Sequence, residues 1–575
     1  MMMIRNCLLG FPLLALLAAC TGSDPATDTP AVQTRAEREA PQHMISAPHP
    51  LAAAAGRDIL RQGGSAVDAA IAAKLVLGLV EAPETGIGGG GFMLLHEAQS
   101  GQTRFYDGRE TAPQAAGADR FRWPGMNKPF IVAMAGSDSI GVPGLLALMA
   151  KAHAEHGQLP WASLFAPAIE LAEQGIAMPP RLQQQINQDW SLRLFADTRQ
   201  YFRRQAAEEA PRLHNPELAV TLRQLADEGT DSFYHGAIGE QFLQRVHDAR
   251  WGRGDMQLSD LHDYAAIERP PVCGAYRQWT LCGPPPPSSG GITVLQILGI
   301  LEHFPLPDLS ADDTQAWHLI AEASRLAFAD REYYVGDPDF VEVPLTDLLD
   351  RDYLAQRANL IDPQQAKDDV VPGVAGIAAE LPEAELPAPE PEHGTSHLSV
   401  VDSAGNLVAF TGSNEIPFGS RMLSQGFVIN SQLTDFNFNP RLSDREHPNA
   451  VAGGKRPRSS MSPFVVYDAD GEPIMVIGSR GGSRIIGYVV KSLIATLDWE
   501  MELAEALALP NMVERRRGIE LEADTWLADH AEALQALGHR VRLEPMTSGV
   551  HAIQRIDTGW RGAADPRLDG IVLGD

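Results

Sequence analysis

Residues 391–402 read Pro391-Glu392-His393-Gly394-Thr395-Ser396-His397-Leu398-Ser399-Val400-Val401-Asp402. The residues that lead into this stretch, 381–392, are rich in proline and glutamate and favour no regular secondary structure. A strand-like run begins abruptly at Thr395, directly after Gly394. The stretch is therefore a junction between an irregular segment and a buried strand, with a small hydroxyl residue at the boundary.

The Gly394-Thr395 pair fits a peptide bond that the protein cleaves itself. The hydroxyl of Thr395 attacks the carbonyl of Gly394, and the chain breaks between the two residues. Cleavage frees the α-amine of Thr395, which becomes the base for its own hydroxyl. Taken alone, the dipeptide is better explained as part of an uncut linker that enters a strand, and the motifs described below reverse this interpretation.

Composition limits the class of protein and its partners. The 575 residues suffice for a large core in several layers. A hydrophobic content of 44% and a charged content of 21% are typical of a soluble globular enzyme. The net charge of -28 argues against a nucleic-acid partner, because a polyanion needs a basic face. A substrate carboxylate must therefore be recognised by local arginines.

The N-terminus resembles the export signal of a bacterial lipoprotein. Arg5 precedes the apolar stretch Leu8–Ala19, which is too short for a membrane-spanning helix. The stretch ends in Leu17-Ala18-Ala19-Cys20, similar to a lipobox, which predicts removal of residues 1–19 and lipidation of Cys20. A plain signal peptide that contains a cysteine is the alternative. Residues 20–43 are predicted to be a disordered tether that anchors an exported protein to a membrane, facing the periplasm.

Two further cysteines, Cys273 and Cys282, flank a short stretch that fits a hairpin. An exported protein permits a disulfide between them, although free thiols are an equal alternative. Their spacing does not suggest a metal site, because no histidine lies nearby to complete one. We expect neither a metal ion nor a cofactor.

The first two thirds of the chain read as mostly helical. A helix is predicted over Leu51–Arg61, and Ser65 begins a second helix with a capping-box pattern. A strand is predicted over Phe92–His96. Residues 141–350 contain several amphipathic helical runs, including one that begins near Thr293 after a proline-rich bend.

After Thr395 the pattern changes to hairpins. Ser399–Asp402 pairs with Leu407–Thr411, and Phe464–Tyr467 pairs with Ile474–Ile477. A glycine-rich turn then leads into a helix that Ser483 is expected to cap. The predicted layout is a set of helices outside two sheets.

Several motifs occur together in one order along the chain. They are His49-Pro50-Leu51, Gln62–Asp68, Gly88–Phe92, Arg109–Pro113, Pro286–Gly291, Thr395–Asp402, Arg456–Pro463, Gly478–Arg484 and Gly562–Arg567. With these motifs the chain resembles the γ-glutamyltranspeptidases (glutathione hydrolases), from about Met44 to Asp575. The resemblance implies an α+β fold, the four-layer αββα sandwich of N-terminal-nucleophile hydrolases. It also implies autoprocessing into a large subunit, 44–394, and a small catalytic subunit, 395–575, which form a heterodimer.

The resemblance assigns catalytic roles to four residues. Thr395 matches the family nucleophile, and its freed α-amine, with a reference pKa of about 7.7–8.0, can accept a proton near neutral pH. Before cleavage that nitrogen is an amide, so the uncut precursor is expected to be inactive. The backbone amides of Gly481 and Gly482 match the oxyanion-binding donors, and Ser413 matches a hydroxyl residue that orients the nucleophile.

Other matched residues bind the amino-acid end of the substrate. Arg109 matches the arginine that holds the α-carboxylate, a task for which a planar, two-pronged donor is suited. Ser459 and Ser460 match the serine pair that contacts the same carboxylate. Asp435 matches the aspartate that accepts from the ammonium, and Gln432 matches a neighbouring residue. Without the resemblance, Arg109 would be interpreted as a surface ion-pair residue.

Some positions depart from the family pattern. Glu415 replaces an asparagine of better-known members. We assign it to the substrate-binding set and expect its carboxylate to change the details of glutamyl recognition. Thr434 replaces an aspartate, and Arg480 replaces a proline before the glycine pair. His397 follows the nucleophile by two residues, but a threonine with its own amine needs no histidine base, so we expect a structural contact.

The leading hypothesis is an enzyme that transfers the γ-glutamyl group of glutathione or related donors to water or to an amino-acid or peptide acceptor. One alternative is a related glutaryl-type β-lactam acylase. Its acyl group lacks the ammonium, so Asp435 favours the glutamyl interpretation. A second alternative is an inactive lipoprotein that binds amino acids or peptides, against which Thr395, Gly481 and Gly482 argue together.

Overall fold

The computed structural model describes residues 36–368, 370–373, 394–442 and 445–575, all within one unit, Arg35–Asp575. The predicted signal peptide, the predicted lipidation site Cys20 and the irregular segment 381–392 lie outside the described residues. The predicted tether, 20–43, lies only partly outside them. Its last part is ordered, because Glu37–Ala40 is an edge strand that pairs with Gly559–Ala564. Glu37 and Glu39 are exposed and lie near Arg561. The strand therefore consists mostly of charged residues and has no alternating apolar pattern in the sequence.

Two seven-stranded sheets form the centre of the fold, and all neighbouring strands within them are antiparallel. In chain order the strands are β1 (Glu37–Ala40), β2 (Met44–Ala47), β3 (Gly90–Glu97), β4 (Gln102–Gly108), β5 (Ile267–Arg269), β6 (Val272–Tyr276), β7 (Trp279–Gly283), β8 (Gly394–Val401), β9 (Leu407–Glu415), β10 (Phe464–Tyr467), β11 (Pro473–Gly478), β12 (His551–Ile556), β13 (Gly559–Ala564) and β14 (Ile571–Gly574).

The two sheets are stacked between helices. Sheet A has the order β1-β13-β12-β11-β10-β7-β6, and sheet B has the order β14-β2-β8-β9-β3-β4-β5. Side chains of β3 alternate between two cores, as a strand with two buried faces requires. Phe92 and Leu94 share a core with Val476 of sheet A, whereas Met93 and Leu95 share one with helices on the other face. The structure is thus the α+β, four-layer αββα sandwich that the sequence predicted.

Helices cover both outer faces of the sandwich. The first seven below contribute to the core on the outer face of sheet B, and the last four to the core of sheet A. None of the helices in the described ranges combines the length and apolar composition needed to cross a membrane. The helices of eight or more residues are α1 (Pro50–Arg61), α2 (Ala66–Val80), α3 (Leu145–His156), α4 (Trp161–Gln174), α5 (Pro180–Gln188), α6 (Pro216–Glu228), α7 (Ala237–His247), α8 (Gly290–Leu301), α9 (Thr314–Tyr334), α10 (Arg351–Ala358) and α11 (Ile485–Leu497).

The local predictions hold with two shifts of helix start. The capping box of Ser65 is confirmed, because its hydroxyl accepts from the amide of Asp68 and the Asp68 carboxylate accepts from the amide of Ser65. Helix α8 begins at Gly290 rather than near Thr293. Ser483 does not cap α11, which begins at Ile485 after a 3-10 turn over Gly482–Arg484.

Both predicted hairpins are present, as β8–β9 and β10–β11. Cys273 and Cys282 face each other across the β6–β7 hairpin and form a disulfide bond. This hairpin lies at one edge of sheet A.

Candidate active site

A cavity of about 200 Å³ lies where strand β8 begins. Thr395 of β8 and Ser413 of β9 line it, together with Gly482 from the turn before α11. The structure also brings the whole predicted substrate-binding set to the wall of this cavity, although its members are far apart in the chain. That set is Arg109, Glu415, Gln432, Asp435, Ser459 and Ser460.

Thr395 is buried near the start of β8, an inner strand of sheet B. The pairing of β8 with β9 changes register between Gly394 and Ser396, so the ladder is interrupted at Thr395 as in a β-bulge. Bulges of this kind re-aim a side chain and are common beside active sites. The extra residue is on β9, and the irregularity lies where Thr395 and Ser413 both line the cavity.

Two hydroxyl groups surround the carbonyl of Gly394. Thr395 Oγ1 lies 2.7 Å from that carbonyl oxygen and 3.3 Å from Ser413 Oγ. Ser413 Oγ accepts from the amide of Glu415 at 2.9 Å and donates to the Gly394 carbonyl at 2.6 Å. The carbonyl of the bond that the sequence predicts to break is thus polarised by one hydroxyl and adjacent to the other.

The Gly481-Gly482 turn presents backbone amides beside the cavity. The φ angles of 127° at Gly481 and 59° at Gly482 lie in the left-handed region, which favours glycine. Neither amide donates a hydrogen bond to a residue in the described ranges. Gly482 lines the cavity, whereas Gly481 is one residue further back and packs against Tyr488. Unpaired amides in this position are suited to binding an oxyanion.

Arg109 and Asp435 form an ion pair on the cavity wall. A nitrogen of the Arg109 guanidinium, Nη2, donates to the Asp435 carboxylate, and Nε donates to the carbonyl of Pro457 at 3.1 Å. The Arg109 side chain is only 1% exposed, so its interpretation as a surface residue is wrong. Asp435 also accepts from Gln432 Nε2 at 2.8 Å and remains 30% exposed. Adjacent positive and negative groups of this kind match the two charges of a free amino-acid group.

Glu415 adds a second carboxylate to the cavity wall. Its backbone has a φ of 80°, a rare conformation for a residue with a side chain. The Glu415 amide is held by Ser413 Oγ, so the strained residue also fixes the hydroxyl beside Gly394. Strain of this type is often found at functional sites.

His397 has structural contacts. Its Nδ1 lies 2.8 Å from Thr411 Oγ1, and its Nε2 lies 3.1 Å from Ser399 Oγ. Burial, followed by the neighbouring His551 and Lys74, holds the pKa of His397 well below its ordinary value. These contacts agree with the structural role expected from the sequence.

Arg480 and Glu84 bracket the Gly394–Thr395 peptide from the protein side. Arg480 Nε donates to the Thr395 carbonyl at 3.1 Å, and Nη2 donates to Glu84 Oε2 at 3.1 Å. A methyl group built on Gly394 would lie 2.7 Å from the same Glu84 oxygen. Burial acts to raise the pKa of Glu84, but Arg480 and Arg181 outweigh it and hold the pKa below its ordinary value.

Sequence analysis missed several residues that line the cavity. Arg331 lies within α9, where small apolar residues dominated the pattern, and nothing in the sequence marked it. Arg458 lies inside the Arg456–Pro463 motif and could have been singled out as a cation there. Phe130 and Arg517 also line the cavity and carried no motif signal.

An αββα sandwich with a buried hydroxyl residue at the start of an inner strand, preceded by a glycine, defines the class of N-terminal-nucleophile hydrolases. Comparison with known proteins then gives the family. Residues 52–574 match the family model described as Gamma-glutamyltranspeptidase. The chain belongs to the γ-glutamyltranspeptidase family.

Relatives in this family include both hydrolases and acylases. The chain is 33% identical to the glutathione hydrolase proenzyme of Escherichia coli (strain K12) over 98% of each chain. It is also 33% identical to the acylase ACY 1 proenzyme of Pseudomonas sp. (strain V22), over 92% of this chain and 93% of the relative. A solved cephalosporin acylase from Bacillus halodurans has a TM-score of 0.81 and 27% identity, covering 96% of this chain and 99% of the acylase.

Glu110 generates a pH-dependence that can be tested. Burial, opposed by Arg109, raises the pKa of Glu110 to about 8. Between the ordinary carboxyl pKa and about 8 the folded protein retains a proton that the unfolded chain releases, so this group makes folding less favourable as pH rises. We expect the thermal stability of Glu110→Gln, compared with that of the wild type, to increase as the pH rises from 5 to 8. One unit of pKa shift corresponds to about 1.4 kcal/mol.

The measurement is the thermal unfolding midpoint of both proteins across this pH range. Glu240→Gln, at an exposed carboxylate, is the matched control and should follow the wild type at every pH. Parallel curves for Glu110→Gln and the wild type would contradict the assignment of a raised pKa to Glu110.

Proposed function

We propose that the chain is a self-processing γ-glutamyl hydrolase and transferase in which Thr395 is the nucleophile. The observation that carries this proposal is the Arg109–Asp435 ion pair in the same cavity as the Thr395 hydroxyl. A γ-glutamyl group ends in a carboxylate and an ammonium on one carbon, and these two residues offer one partner for each. The proposed donors are glutathione and related γ-glutamyl compounds.

Maturation begins with attack of Thr395 Oγ1 on the carbonyl carbon of Gly394. Ser413 donates to the carbonyl oxygen and so stabilises the negative charge that develops there. The C–N bond breaks, the nitrogen of Thr395 takes up a proton, and an ester to Oγ1 forms. Water then cleaves the ester, giving a large piece that ends at Gly394 and a small piece, 395–575.

The two pieces stay together because each sheet takes strands from both. In sheet B, β8 lies between β2 of the large piece and β9 of the small piece. In sheet A, β7 of the large piece pairs with β10 of the small piece. Separation would break both sheets, so the proposed mature form is a heterodimer.

Catalysis then uses the amine that cleavage has freed. The α-amine of Thr395 takes the proton of the Thr395 hydroxyl. The oxygen Oγ1 then attacks the γ-amide carbon of the donor. The amides of Gly481 and Gly482 bind the oxyanion, and one such donor typically lowers the barrier by about 3–4 kcal/mol. The leaving amine departs with a proton, and a γ-glutamyl ester of Thr395 remains. Water resolves this ester in hydrolysis, whereas an amino acid or peptide amine resolves it in transfer.

Substrate recognition follows from the charges on the wall. We assign the α-carboxylate of the donor to Arg109, Ser459 and Ser460, and its ammonium to Asp435. Gln432 orients Asp435 through the 2.8 Å hydrogen bond, and Glu415 adds a second negative charge to the cavity wall.

A glutaryl-type acylase is the second candidate, and the similarity to acylases at 33% and 27% identity supports it. A glutaryl group has no ammonium, so it would leave Asp435 without its proposed substrate partner. Two carboxylates on the wall therefore favour the γ-glutamyl donor. We further propose export and anchoring through a lipid on Cys20, a residue outside the described ranges.

Thr395→Ala removes the proposed nucleophile. We expect a single uncut chain on a denaturing gel and no turnover of a γ-glutamyl anilide, because both steps need the same oxygen. Ser399→Ala, a substitution further along the same strand β8, is the control, and its precursor should still be cleaved. Normal two-piece maturation of Thr395→Ala would refute the assignment.

Asp435→Asn tests which acyl group the cavity selects. We expect the kcat/KM of mature enzyme to fall by about 10- to 100-fold for a γ-glutamyl anilide, since a hydrogen bond to a charged group contributes roughly 1.5–3 kcal/mol. A glutaryl anilide, which has no ammonium, should lose much less. Assays of the wild type with both anilides, with and without a dipeptide acceptor, identify the preferred donor and the transfer reaction. A wild type that prefers the glutaryl anilide would establish the acylase instead.

Arg480→Met tests the support of the cleavage site. It removes the donor to the Thr395 carbonyl, so we expect the precursor to mature at least about tenfold more slowly. Arg181→Met is the matched control, because Arg181 also contacts Glu84, at 3.5 Å, whereas the donor to the Thr395 carbonyl is Arg480. The rate of appearance of the two pieces is the measurement. Equal slowing in both variants would assign the effect to Glu84 alone.

A further inference from the structure

The proline-rich motif Pro286–Gly291 holds the serine pair of the cavity in place. The amide of Ser289 donates to the Ser459 carbonyl at 2.8 Å, and the amide of Ser459 donates to the Pro287 carbonyl at 2.9 Å. Ser288 Oγ donates to the Met461 carbonyl at 2.6 Å. The predicted rigid bend is therefore also a backbone partner for the loop that carries Ser459 and Ser460.

Arg331, on helix α9, links this motif to Ser460. Its Nε donates to Ser289 Oγ at 2.7 Å, and its Nη2 donates to Ser460 Oγ at 2.9 Å. Ser289 Oγ in turn donates to the Ser459 carbonyl at 2.7 Å. A guanidinium only donates hydrogen bonds, so both serine oxygens must accept from Arg331.

The direction of these bonds fixes the hydrogen of each serine. The single hydrogen of Ser289 is used on the Ser459 carbonyl, which leaves its lone pairs for Arg331. Ser460 Oγ accepts from Arg331, and its own hydrogen has no acceptor in the described part of the chain. Because Ser460 lines the cavity, that hydrogen is available to a ligand there. Ser460 is thus presented as a hydrogen-bond donor, which suits an anion.

The charge of Arg331 also favours an anion beside Ser460. The carboxylates near it include that of Glu332, which lies 3.8 Å from Arg331 Nη1, and that of Asp435, which is already paired with Arg109. Glu332 already accepts from Arg458 Nη2 at 2.9 Å, and its other oxygen lies 2.9 Å from His447 Nε2. Arg331 itself lines the cavity. Its positive charge is therefore only partly balanced beside Ser460.

We propose that Arg331 is a positioning residue that makes Ser460 a donor to the substrate α-carboxylate and thereby selects acyl donors that carry this group. The proposal rests on the proposed γ-glutamyl function and adds the element that discriminates amino-acid-like donors from donors without an α-carboxylate. Arg331 acts through Ser460, and Ser289 fixes the guanidinium in the orientation that serves it.

The test compares two anilides in mature enzyme. One carries a γ-glutamyl group, and the other carries a 4-aminobutyryl group, which keeps the amine but lacks the α-carboxylate. The measured ratio is kcat/KM for the γ-glutamyl anilide divided by kcat/KM for the 4-aminobutyryl anilide. For Arg331→Gln we expect this ratio to fall by about 10- to 100-fold, mainly through a higher KM for the glutamyl donor. Arg331→Lys keeps the positive charge but loses the planar guanidinium that donates to two serines at once. Ser289→Ala removes one of these two acceptors, so each variant should lower the ratio by a smaller factor.

A structural role for Arg331 would reduce turnover of both anilides together and leave the ratio unchanged, and this result would overturn the proposal. Where turnover of the 4-aminobutyryl anilide is too slow, competitive inhibition by L-glutamate and by 4-aminobutyrate gives the same ratio. If Arg331→Gln does not mature into two pieces, Arg331→Lys and Ser289→Ala decide, and an unchanged ratio in both would refute the proposal. A wild type without activity on the glutamyl anilide would instead refute the proposed function.

Discussion

The hydrogen bond between the Ser413 hydroxyl and the Gly394 carbonyl connects the fold to the chemistry. It joins the last part of β9 to the first residue of β8 across an interruption of the ladder. The same carbonyl lies 2.7 Å from Thr395 Oγ1. Sheet B fixes these atoms because β8 is an inner strand with partners on both sides. The proposed reaction therefore breaks a bond at the end of a strand that is held in the sheet by β2 and β9.

A second constraint is the balance of buried charge around the cavity. Arg109 is almost fully buried and pairs with Asp435, and Arg480 is buried with Glu84. Removing one member of a buried pair leaves the other charge without compensation, which is strongly destabilising. Asp435 keeps an exposed side toward the cavity, whereas the Arg480–Glu84 pair is closed off by protein. We infer that the first pair serves the ligand and the second serves the peptide at Gly394.

Local patterns in the sequence were sufficient for much of the architecture. The capping box at Ser65 and the two hairpins depend on residues close in the chain, and the structure contains them. The site motifs also converged on one cavity, but their mutual contacts could not be predicted. The Arg109–Asp435 pair joins residues 326 positions apart. Arg331 was missed because a single partly buried cation on a helix of small apolar residues leaves no periodic signal. Strand β1 was missed because an exposed edge strand can consist of charged residues.

The central claim is that one residue supplies both the attacking oxygen and, once the chain is cut, the amine that activates it. Terminal sequencing of the small piece from purified, catalytically active protein tests this claim most directly. We predict an unblocked terminus that begins Thr395-Ser396-His397. Activity in a single uncut chain, or a small piece that begins at any other residue, would contradict the account.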